Sequence, residues 1–87
     1  MITAPQMRAA RALLGIDQRT LARLSGVSVP TIQRMEGSVG QVRGTVDSLV
    51  KVVDALANAG IELLGEGIPS AGGGRGVRLK QDPEPRP

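Results

Sequence analysis

Asp17 to Glu36 reads DQRTLARLSGVSVPTIQRME, and these twenty residues decide the fold. Two short helices around a tight turn account for them. Asp17 is a good N-cap, and Ile16 with Leu21 has the spacing of a hydrophobic staple, which predicts a helix from Gln18 to about Leu24. Ser25-Gly26 breaks it, because glycine accepts the left-handed backbone that a tight turn needs. Ser28 caps a second helix from Val29 to about Glu36. Pro30 falls in its first turn, where a missing N–H costs little, and Val27 with Ile32 is another staple. Leu21, Leu24, Val27, Ile32 and Met35 are the apolar positions. Ala22 is small where the second helix crosses, and Val27 and Ile32 fill the angle between the two. The outward positions of the second helix are then Ser28, Val29, Pro30, Gln33 and Arg34.

Helices flank this pair. Thr3 and Gln6 have capping-box spacing, Ile2 and Met7 form a staple, and Pro5 lies in a first turn, so a helix begins after Thr3 and ends at Gly15. Met7, Ala10, Leu13 and Leu14 are its expected apolar face. Gly37 to Gly44, with three glycines, is a loop. Thr45 then caps the longest helix, Val46 to about Ala59, with Val46, Leu49, Val50, Val53, Leu56 and Ala57 as its broad apolar face. Beyond Gly60 the period shortens. Ile61–Leu64 and Val77–Lys80 are strand-like, joined by the flexible, glycine-rich stretch 65–76, and the Pro-rich, charged tail 81–87 is expected to be disordered. A mainly α fold follows, with a short C-terminal β-hairpin or β-strand extension.

Composition narrows the function. The chain has 87 residues, no Cys, no His and no aromatic residue, so it offers neither a disulfide framework nor the usual general base or zinc ligands. A reducing cytoplasm suits it. No apolar run is long enough to span a membrane, and no signal peptide is visible. Its positive charge is concentrated: up to Gly44, six arginines stand against two acids, whereas from Thr45 onward five bases meet six acids. The arginine-rich half is the half that holds the crossed helices, where contacts to nucleic-acid phosphates would need it.

The residues Gln18, Leu21, Ala22, Gly26, Val27, Ser28, Thr31, Ile32 and Glu36 form the string Q-x-x-L-A-x-x-x-G-V-S-x-x-T-I-x-x-x-E. This register resembles the phage-repressor (Cro-like, or XRE) helix-turn-helix family over about Met7 to Ala59. The resemblance implies a repressor-like bundle of four or five helices that binds operator DNA, usually as a dimer, and regulates transcription. It implies that the helix from Val29 reads the major groove. Ser28, Val29, Pro30, Gln33 and Arg34 are then the candidates for base edges. Gln18 and Thr31, with Arg8, Arg11, Arg19, Arg23 and Arg43, are the candidates for phosphates. In Glu36 it implies a structural acid. Val29 and Pro30 depart from the polar or basic residues common there; apolar groups suit thymine methyls.

The expected organisation is a DNA-binding domain over residues 1–60 and a β extension over 61–80 that dimerises it through Ile61, Leu63, Leu64, Val77 and Leu79. Double-stranded DNA and a second copy are the expected partners; no cofactor, metal, enzymatic activity or membrane association is expected. A protein-binding module on the same fold, such as an antitoxin or antiactivator, is the alternative, suggested by Val29, Pro30 and spare strand edges. Other motifs carry nothing. Gly65-x-Gly67 has Ser70 where a dinucleotide turn needs a third glycine, the run at 72–76 lacks the Lys-Ser/Thr of a phosphate loop, and Asp47, Asp54, Glu62 and Glu66 lack metal-loop spacing.

Overall fold

Four helices and one antiparallel hairpin follow in order: α1 (Ala4–Leu14), α2 (Gln18–Ser25), α3 (Val29–Glu36), α4 (Val46–Asn58), β1 (Ile61–Leu64) and β2 (Gly76–Leu79). The computed structural model describes residues 2–65 and 74–80. Most of the expected 65–76 connection and all of the expected disordered tail, 81–87, lie outside the described residues.

The helix starts are set by side chains that accept from early backbone N–H groups. Thr3 and Gln6 close a full capping box, and Asp17, Ser28 and Thr45 accept from Thr20, Thr31 and Ser48. Two glycines make the turns on either side of α2. Gly15 (φ 68°) ends α1 and Gly26 (φ 74°) ends α2, both in the left-handed region. The chain ahead of α1 pairs with the loop after α3: Ala4 N–H donates to the Gly40 carbonyl at 3.0 Å and Val42 N–H to the Ile2 carbonyl at 2.9 Å. That loop is thereby held, with Val42 buried.

The core is aliphatic. Ile2, Met7, Leu21, Ile32, Met35, Val52, Leu56 and Ile61 are its largest fully enclosed side chains. Each is worth about 1.5–3 kcal/mol on leaving water. Leu14, Ile16, Val29, Leu49, Val53, Leu63 and Val77 pack around them in part.

Four sequence expectations are corrected. On α4 the buried side chains are Val52, Ala55 and Leu56, whereas Val46 and Val50 are 72 % and 41 % exposed. At about 100° per residue the direction set by Val52, Ala55 and Leu56 leaves Val50 almost opposite the core. Leu24 (54 % exposed) lies about 110° round α2 from the line between buried Leu21 and Ala22, and Leu13 (46 % exposed) lies off the core side of α1. Strand β2 starts one residue earlier than expected, at Gly76, and ends at Leu79.

The hairpin pairs Ile61 with Leu79, Glu62 with Arg78, Leu63 with Val77 and Leu64 with Gly76. One buried side chain fastens it to the bundle. Gln6 Oε1 accepts from Thr3 N–H (2.9 Å), and Gln6 Nε2 donates to the carbonyls of Leu64 (3.2 Å) and Gly76 (2.9 Å). At its open end, Lys80 N–H donates to the Gly60 carbonyl at 2.6 Å. On the exposed face Arg78 bonds Glu62 at 2.7 and 2.9 Å.

Candidate nucleic-acid interface

The outward face of α3 follows from its buried one. Val27, Ile32 and Met35 face the core, which turns Pro30, Gln33 and Arg34 outward to solvent. Ser28 is exposed but engaged: its hydroxyl accepts from Thr31 N–H at 3.3 Å and donates to Thr31 Oγ1 at 2.9 Å. Val29, expected on the exposed face, is instead half-buried against the core. Three residues before Ile32, it lies about 60° round the helix from that buried side chain, on the flank of the core-facing side.

The far end of α3 is locked by Glu36, which is 5 % exposed. Its carboxylate takes a bidentate grip from Arg11 of α1, with Nε donating to Oε2 at 2.7 Å and an outer guanidinium nitrogen donating to Oε1 at 2.8 Å. Gln18 Nε2, from the start of α2, donates to the same Oε1 at 3.1 Å. Arg8 adds a 2.6 Å bond to the Glu36 carbonyl. One buried acid thus ties three helices together and fixes the direction in which α3 projects. Hydrogen bonding to Glu36, above all, holds the Arg11 guanidinium above its usual pKa, partly opposed by burial. Charge-assisted forks of this kind are strong and geometrically strict.

The predicted phosphate candidates therefore fall into two groups. Arg11, Arg8 and Gln18 make protein contacts at the Glu36 clamp. Arg19, Arg23 and Arg43 are exposed and, among the described residues, their side chains make no hydrogen bond or ion pair; the same holds for Gln33 and Arg34. Asp17, beside Arg19, caps α2; acceptance from the Thr20 backbone N–H chiefly lowers its pKa from the usual 3.8. Sequence reading placed Glu36 as structural but missed that its partners are Arg11 and Gln18. Those pairs span 25 and 18 residues, beyond any local periodicity.

The hairpin candidates are also divided. Ile61 is enclosed in the chain's own core, Leu63, Leu64 and Val77 are half-buried, and Leu79 is 46 % exposed. Among the described residues no group of three or more His, Cys, Asp or Glu could hold a metal ion.

The family model for helix-turn-helix domains matches residues 7–58, more than half of the chain. The chain belongs to the Cro/XRE-like helix-turn-helix family. It is a DNA-binding transcription regulator of the XRE type. The matched stretch runs from the body of α1 to the end of α4 and leaves the hairpin outside it. No curated protein matches the chain. No helix among the described residues is long and apolar enough to cross a membrane.

Proposed function

We propose that the protein is a cytoplasmic, sequence-specific regulator that binds a near-palindromic operator as a dimer, with the α3 of each copy in successive major grooves ~34 Å apart. The observation that carries the reading is the contrast along α3: a buried side and a Glu36 clamp that fix its direction, against Gln33 and Arg34 exposed without protein partners. Arg34 suits a guanine O6/N7 edge and Gln33 an adenine N6/N7 edge. Pro30, with the exposed part of Val29, suits thymine methyls, and the Ser28 hydroxyl lies beside them. Arg19, Arg23 and Arg43 supply phosphate contacts, with Thr31 at the start of α3. Gln18 and Arg8 join them through donors that the Glu36 clamp leaves over. Arg11 acts through the clamp, because its fork is occupied by Glu36. The β extension joins the two copies.

Such a complex releases counterions from DNA, so log K falls linearly with log salt at about 0.9 per neutralised phosphate. Fluorescence anisotropy on a selected operator across salt concentrations tests this. Absence of binding even at low salt contradicts it.

One observation favours a second reading, a protein-binding antitoxin or antiactivator on the same fold: Val46 and Val50 leave an apolar stripe on α4 in the open. Recovery of one stoichiometric protein partner, together with no selected DNA sequence, identifies that case.

A further inference from the structure

An open cleft of about 400 Å³ lies where the start of α1, the loop after α3 and the start of β2 meet. Its size is that of a small-molecule site. Pro5 and Ala9, about one turn apart on α1, form one wall, and Gly40, Gly76 and Val77 form the others. The lining is mostly apolar.

Two polar side chains border the cleft, and both are engaged within the protein. The Thr3 hydroxyl donates to Gln6 Oε1 and accepts from Gln6 N–H, both at 3.2 Å. Gln6 Oε1 also accepts from Thr3 N–H, and its Nε2 donates to the carbonyls of Leu64 and Gly76. Arg75 differs. It stands exposed at the rim, two residues before Val77, and among the described residues its side chain makes no hydrogen bond or ion pair. No acid among the described residues lines the cleft.

That inventory selects the ligand by its chemistry. A sugar or a nucleotide needs several hydrogen-bonding partners to offset its desolvation, and here one side chain is free to supply them. A phosphate dianion is best held by more than one cation or by a nest of backbone N–H groups. A single guanidinium fork matches one carboxylate. The apolar walls match an unbranched hydrocarbon body.

We propose that the cleft binds a small amphipathic carboxylate of the medium-chain fatty-acid class, with its chain over Pro5, Ala9 and Val77 and its carboxylate on Arg75. None of these residues is a candidate for DNA contact, so the inference goes beyond the operator reading. The site lies at a joint of the fold. Thr3 bridges Gln41 in the loop after α3, and Gln6 holds the hairpin, so a molecule lodged here touches all three parts and stabilises their arrangement by mass action.

Octanoate is the probe, titrated into the full-length protein without DNA and followed by amide-resolved NMR. Saturable shifts are expected at the amides of Ala9, Gly40 and Val77, with Val46 and Val50, on the exposed apolar stripe of α4, unmoved. Each methylene removed between octanoate and hexanoate is expected to weaken binding about two- to fourfold. Arg75→Gln is expected to weaken octanoate about fivefold and to leave octanamide, the neutral analogue, unchanged. Ala9→Phe, which fills the cleft from the α1 wall, is expected to abolish the shifts with helical circular dichroism retained. No saturable shift up to tens of millimolar octanoate overturns the assignment. So do equal octanoate affinities for wild type and Arg75→Gln, a folded Ala9→Phe protein that binds as wild type does, or shifts centred on Val46 and Val50. With no DNA in the titration, any of these results leaves the operator reading standing.

Discussion

Replacing Glu36 with Gln keeps the shape of the clamp and removes its charge. An amide offers one acceptor where the carboxylate offers two, so one arm of the Arg11 fork at 2.7–2.8 Å must face an N–H₂ group, while the Gln18 bond competes for the remaining oxygen. Hydrogen bonds to charged groups contribute about 1.5–3 kcal/mol, and an orphaned donor adds a desolvation cost. The Arg11 side chain is 21 % exposed, so water offsets part of the loss. Glu36→Gln is therefore expected to cost about 2 kcal/mol, and Glu36→Ala, which leaves Arg11 without its partner, about 3–4 kcal/mol. For a domain of this size the Gln variant corresponds to a Tm lower by roughly 8–16 °C, read by circular dichroism together with urea titration. Arg11→Met combined with Glu36→Gln should show a coupling of about 1–2 kcal/mol. The Arg11 side adds no pH dependence over the ordinary range: its raised pKa keeps the contribution fully present at every pH below the usual arginine value. A Glu36→Gln cost below about 0.5 kcal/mol, or additive single effects, would refute the clamp as the element that holds α3.

Three further outcomes follow from the same geometry. Gly26→Ala should cost about 1–2 kcal/mol purely as backbone strain, since φ is 74° and nothing lies within 4 Å of an added Cβ; Gly44→Ala, without positive φ and 3.9 Å from Met35 Cγ, should stay within about 0.5 kcal/mol, and equal urea midpoints for the two would contradict this. Gln6→Met removes both the cap and the hairpin clamp and should cost about 2 kcal/mol, with hydrogen exchange rising selectively in β1 and β2; unaltered protection there would show that Gln6 does not fasten the hairpin. Asp17→Ala should lower Tm at neutral pH. Because the folded pKa of Asp17 is depressed, that contribution is present above the usual 3.8 and is lost as pH falls through the folded value, so the gap to wild type should close in acid; a gap that persists there would contradict the cap.

The helix boundaries were legible because their signals are local. Thr3, Asp17, Ser28 and Thr45 cap neighbours three residues away, and Gly15 and Gly26 sit where only a left-handed residue fits. The choice of buried face on α4 was not. Val46, Val50 and Val53 form one apolar stripe and Val52, Ala55 and Leu56 another, and periodicity does not say which one meets α2 and the hairpin. The double role of Gln6 was half legible: its cap partner is three residues away, but the carbonyls it clamps are 58 and 70 residues away. At the candidate interface the residue types pointed to DNA, yet sequence could not separate Arg11, occupied by Glu36, from Arg19, Arg23 and Arg43, which stay open. Side chains that face outward in sequence patterns differ only in which long-range partners the fold brings to them.

In the proposed complex two copies present α3 to successive major grooves. Selection of a binding site from randomised duplex DNA, followed by guanine-methylation interference on the selected sequence, tests it most directly. Two symmetric major-groove patches are expected on one side of the duplex, about 34 Å apart, with Arg34→Ala weakening affinity by about 1–3 kcal/mol and relaxing choice at one position in each half. No enriched sequence, a single asymmetric patch, or an operator affinity unchanged by Arg34→Ala would contradict it.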